Sequence, residues 1–103
     1  MTPKQFHKMW DGVNVDSLSD EELLDFKEDC FALYEATGFL DWFDSPYDDG
    51  GEHNGQKFEV VRRATTKEAD LEAMPLWLVR FEKGDESLCY PEEICKYGHK
   101  KQS

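Results

Sequence analysis

Apolar and polar positions follow two different rhythms along this chain, and the change of rhythm divides it. From Pro75 to Ile94 the period is two. Trp77, Val79 and Phe81 point to one side and Leu78, Arg80 and Glu82 to the other, which is a strand with one dry face and one mixed face. Lys83-Gly84-Asp85-Glu86 supplies a turn with a place for positive φ, and Leu88-Cys89-Tyr90 runs back until Pro91 ends the pairing, so the stretch reads as a β-hairpin. Gln56 to Ala64 reads as a third strand, with Phe58 and Val60 alternating against Glu59 and Val61 before Arg62-Arg63.

Upstream the period is 3.6. Thr2-Pro3-Lys4-Gln5 has the form of a helix start, Phe6, Met9 and Trp10 follow at i, i+3 and i+4, and Gly12 is placed to end the helix. Ser19-Asp20-Glu21-Glu22 repeats the start with an S-x-x-E box, Leu18 and Leu23 stand at the hydrophobic-staple positions, and the pattern runs to Thr37 with Gly38 as its stop. On that helix Leu23, Phe26, Cys30, Leu33 and Tyr34 converge on one side, and Glu21, Asp25, Glu28, Asp29 and Glu35 on the other. Phe39 to Phe43 is too short to classify by period: one helical turn or a brief strand that brings its rings to the core. Asp44 to Gly55 is built of turn residues and reads as a flexible acidic loop. Thr65-Thr66-Lys67-Glu68 predicts a short helix over Lys67 to Met74, closed by Pro75, with Leu71 and Met74 turned inward. Pro91 to Ile94 reads as a last helical turn, and the tail from His99 as frayed.

These elements predict one α+β domain over residues 1–103: a helical segment over residues 2–38, the loop 44–55 and a β-rich segment over residues 56–97. Two N-terminal helices pack on a small three-stranded antiparallel sheet. The strand half, with its first strand, long excursion, Trp77-bearing hairpin, acidic turn and one-turn helix after Tyr90-Pro91, resembles the SH3-like small barrels, here as a partial barrel. That resemblance implies a peptide- or nucleic-acid-binding module.

Charge sharpens the picture. The formal net charge is -11, and residues 1–55 hold fourteen acids against only Lys4, Lys8 and Lys27, while the rest of the chain balances nine against nine. Such a field repels nucleic acid and anionic membrane and attracts basic partners. It also keeps a small protein soluble, which alone is enough to favour acidic surfaces. Asp20, Glu21 and Glu22 suit the positive end of the helix dipole. Asp25 to Glu35 do not, and like charges at i and i+4, such as Glu21 with Asp25 and Asp25 with Asp29, cost a few tenths of a kcal/mol per pair, on the order of 0.2–0.5. No apolar run approaches a membrane span, and no basic-then-apolar leader opens the chain, so a cytoplasmic protein is expected. Cys30, Cys89 and Cys95 are odd in number and irregular in spacing, which predicts reduced thiols.

Three groups of residues carry candidate chemistry. Asp48, Asp49, Glu52 and His53 gather carboxylates and an imidazole, although without EF-hand spacing. Cys89, Cys95 and His99 are zinc-ligand types at a spacing that does not pair them as structural zinc sites do. Arg62, Arg63 and Arg80 form either a small basic patch or cross-strand pairs with Glu59 and Glu82. The sequence therefore predicts a non-catalytic accessory protein, without cofactor or metal. Its Glu21, Asp25, Glu28, Asp29, Glu35, Asp48, Asp49 and Glu52 would meet a basic protein surface. Two alternatives stand beside it: a nucleic-acid mimic that occupies the basic groove of a DNA- or RNA-handling protein, and a small enzyme or metal protein using His53 or the Cys89, Cys95 and His99 group.

Overall fold

The computed structural model describes residues 1–97, with Asp49 and Gly50 described by their backbone alone. Its elements in order are α1 (Pro3–Trp10), a 3-10 turn at Val15–Ser17, α2 (Asp20–Thr37), a 3-10 turn at Asp48–His53, β1 (Phe58–Arg63), a 3-10 turn at Leu71–Ala73, β2 (Trp77–Phe81), β3 (Glu86–Cys89) and α3 (Pro91–Ile94). The strands form an antiparallel sheet in the order β1-β2-β3. This is the expected α+β class.

Both long helices start where their boxes place them. The Thr2 side chain accepts from the Gln5 N–H while Gln5 reaches back to Thr2, and Ser19 and Glu22 repeat the exchange at α2. Gly38, at φ +95, stops α2 with its N–H on the Tyr34 carbonyl, a backbone conformation that a side chain would strain. Among the described aromatic contacts, α1 reaches the domain through α2: Phe6 and Trp10 bring their rings 5.8 and 5.0 Å from Phe26. The helices are thus stacked on one another, with α2 against the sheet.

Trp77, Val79 and Phe81 lie on the buried face of β2, at 2% exposure or less. Phe31, Tyr34 and Phe39 set their ring edges against Trp77, and Phe43 sets its edge against Phe81. Pairs of this geometry add about 0.5–1.5 kcal/mol each beyond their area. Phe31 was not among the predicted inward residues of α2, yet it meets Trp77 beside the predicted Tyr34. Of the predicted inward residues, Cys30 and Leu33 are buried and Leu23, Phe26 and Tyr34 are half-buried.

Residues 39–43 settle the choice left open by period: they form two isolated β-bridges, with a bend at Asp41 between them. Phe39 bridges Cys95, Trp42 bridges Lys57, the Leu40 N–H reaches the Ile94 carbonyl, and the Phe43 N–H reaches the Gln56 carbonyl. This strap joins the start of β1 to the end of α3, giving the sheet a partial closure built from isolated bridges instead of a full strand.

Two connections differ from expectation. Residues 67–74 do not form a helix; a turn at 66–68 is followed by the 3-10 turn at Leu71–Ala73, while Met74 is buried as expected. Glu68 does reach back to the Thr65 N–H at 3.0 Å while also pairing with Arg62 at 2.6 Å, but the run is too short to nucleate a helix on its own. The segment 44–55 carries the 3-10 turn at Asp48–His53, and its ends are tied: the Ser45 N–H donates to Asn54 Oδ1 at 2.7 Å and the Gly55 N–H to the Phe43 carbonyl at 2.9 Å.

Candidate functional site

The predicted acidic residues fall into two places. On α2, Glu28 and Glu35 face β1 and share Arg63: Nη1 lies 2.8 Å from Glu28 and Nε 2.7 Å from Glu35. A bulge makes this possible. The β1–β2 register shifts between Val60 and Arg62, so that Arg63 stands opposite Trp77 and turns to the helix side, its guanidinium 4.8 Å above the Phe31 ring. Glu35 also accepts from the Trp77 indole N–H at 3.1 Å. The Arg63 hydrogen bond, with help from Trp77, holds the Glu35 carboxyl below the usual glutamate range. Asp29 accepts from the Trp10 indole N–H at 2.6 Å. Three of the five predicted contact acids of α2 thus hold the fold together. Glu21 and Asp25 are exposed, with no Lys or Arg partner among the described residues.

The other arginines are engaged too. Arg62 takes Glu68 by two bonds, and Arg80 spans Glu59 at 2.9 Å and Glu86 at 3.2 Å. The expected partner Glu82 is replaced by Glu86, because the hairpin register sets Arg80 opposite Glu86. Among the described residues no basic patch is left on this face.

The second place is a cleft of about 450 Å³ between the 3-10 turn at Asp48–His53 and the junction of β3 with α3. Tyr47 and Tyr90 present their rings there, 6.0 Å apart at 65°, and both are exposed. The Tyr47 hydroxyl donates to Glu92, a bond that pushes the phenol up to about 12. Glu52 stands on one side of the cleft with its side chain 77% exposed, and Glu86 on the other. Below them Glu93 is 6% exposed, its Oε2 accepting from the Ser45 hydroxyl at 2.6 Å and its Oε1 from the Tyr90 N–H at 2.9 Å. Asp48 is exposed and without a cationic partner among the described residues; the side chain of Asp49 lies outside them.

His53 is packed more than presented. Its ring stacks on Phe81 at 4.1 Å and 2°, Nε2 lies 3.4 Å from Glu52, and Nδ1 is buried with no partner among the described residues. A base oriented by a carboxylate would give one nitrogen to its partner and present the other to substrate; here Nε2 faces Glu52 and the other nitrogen, Nδ1, is buried. Cys30, Cys89 and Cys95 are free and buried, which pushes their thiols up to about 11, 12 and 12 and leaves them unreactive as nucleophiles. The zinc alternative relied on His99, which is outside the described residues. Among the described residues no group of three or more His, Cys, Asp or Glu side chains is placed to hold a metal ion, and no helix is long and apolar enough to cross a membrane.

Sequence reading missed Tyr47, Tyr90, Glu86 and Glu93 as site residues. Glu93 at the third position of the helical turn opened by Pro91 was a local sign that it turns back to the Tyr90 N–H, but nothing in the sequence shows that Ser45 comes to meet it. No protein-family model matches this chain, and no curated protein or solved structure matches it.

Proposed function

We propose that this protein acts without catalysis, as an accessory protein that binds a basic protein partner. The observation that supports this best is what remains of the acidic half once its internal pairs are counted. Glu21 and Asp25 on α2, and Asp48 and Glu52 on the 48–53 turn, stay exposed with no Lys or Arg against them among the described residues. The fold had an arginine available for Glu28 and Glu35 and gave none to these four, of which Glu52 lies 3.4 Å from His53 Nε2, and on α2 Glu21 and Asp25 repel at i and i+4. A field of one sign at exposed positions speeds encounter with a partner of the opposite sign and selects against like-charged ones.

Isothermal titration with an arginine-rich nonapeptide tests this at about 20 mM and 300 mM salt. Saturable binding at low salt that weakens at least tenfold at high salt is the expected result. No heat of binding at low salt would overturn the proposal.

A further inference from the structure

We infer that the cleft between the 48–53 turn and the β3–α3 junction receives an arginine side chain from that partner, an assignment that rests on the interaction reading above and makes it specific. Three features of the cleft point to this occupant.

The first is its charge. Glu52, Glu86 and Glu93 line it from three different elements, and no Lys or Arg does. Arg80 takes part of the charge of Glu86 from the other strand, but Glu93 lies buried with hydrogen bonds only from a hydroxyl and a backbone N–H. Among the described residues it has no cation. A buried carboxyl without a counter-charge is costly, and a guanidinium entering the cleft would supply one.

The second is the pair of Tyr47 and Tyr90 rings at its mouth, each about two-fifths exposed. Aromatic faces beside carboxylates suit a cation that can stack and donate hydrogen bonds together. Guanidinium is planar, weakly hydrated and carries five donors, whereas the ammonium of lysine is a strongly hydrated point charge that gives up more on entering.

The third is what the same lining rejects. An apolar side chain would cover Glu93 without neutralising it, and a phosphate would meet three carboxyl groups.

Glu93 also fastens Ser45 and Tyr90, so its removal would confuse binding with folding. Glu52→Gln and Tyr90→Leu change exposed side chains instead. Affinity is measured for the arginine-rich nonapeptide and for a lysine-rich one of equal charge, on the full chain at low salt, with urea unfolding of each variant as a check. The wild type is expected to bind the arginine peptide at least fivefold more tightly. Each cleft variant should lose about tenfold for that peptide and most of its preference over lysine, while Glu82→Gln, which removes an equal charge away from the cleft, should keep the preference. Glu21→Gln with Asp25→Asn should weaken both peptides alike. Equal binding of the two peptides, unaltered by the cleft variants, would overturn the cleft while leaving the interaction reading in place; no binding of either peptide would overturn both. If Tyr90→Leu unfolds, Glu52→Gln decides the matter alone.

Discussion

The Ser45 hydroxyl donates to Glu93 at 2.6 Å across 48 positions of sequence, and both residues are buried. This bond ties the strap at 39–43 and the loop that follows it to α3. The Tyr47 N–H in turn donates to the same Ser45 oxygen at 3.1 Å, so one hydroxyl sets the entry of the 48–53 turn and hence one wall of the cleft. Glu93→Ala should leave the Ser45 hydroxyl and the Tyr90 N–H without their acceptor and cost about 2–3 kcal/mol. Ser45→Ala should cost about 1.5–3 kcal/mol, because it removes a hydrogen bond to a charged group. Urea unfolding with an unchanged m-value measures both.

Trp77 is the point where helix, strap and sheet meet. It receives the ring edges of Phe31, Tyr34 and Phe39 and gives its N–H to Glu35. Trp77→Ala should cost about 3–5 kcal/mol, a large share of the roughly 5–15 kcal/mol that holds a typical domain. Loss of the cooperative unfolding transition, or a large fall in its midpoint, is the expected result in calorimetry.

Arg63 couples α2 to β1 through Glu28 and Glu35. The folded-state pKa of Glu35 is depressed, so its contribution is present above the ordinary glutamate value of 4.5 and is lost as pH falls through the lower folded value. Glu68, brought down to about 2 by Arg62, follows the same sign. Arg63→Met keeps the stem over Phe31 and removes the charge. It should cost no more than about 1 kcal/mol at pH 7, since the pair is partly exposed, and should shrink the difference in stability between pH 7 and pH 3. Denaturation midpoints of the wild type and the variant at the two pH values check this.

Burial raises all three thiols well above neutral pH. An aromatic disulfide reagent at pH 8 should therefore leave the folded protein unreacted over minutes and titrate three thiols once urea unfolds it. Rapid reaction of one thiol in the native state would place a cysteine at the surface.

The features that were legible in the sequence are those carried by neighbouring residues. The Thr2 and Ser19 boxes, the stop at Gly38, the Gly84 turn and the alternation at Trp77, Val79 and Phe81 each depend on a few consecutive positions, and each stands in the structure where it was read. What was hidden depends on residues far apart. The bulge after Val60 swings Arg63 to α2, and no local signal tells a bulged strand from a regular one. The acidic face of α2 was visible as a face, but its pairing with Arg63 and Trp10 was not. Half of the cleft was read as an acidic loop; the other half, Glu86, Tyr90 and Glu93, looked like the end of a hairpin and a helical turn until Ser45 joined the two.

Mapping amide chemical shifts of the ¹⁵N-labelled protein during titration with the arginine-rich nonapeptide tests the account most directly. The largest changes should fall on residues 47–53 and 86–93 around Tyr47, Tyr90 and Glu93. Changes confined to α2, or small shifts spread evenly over the chain, would contradict it.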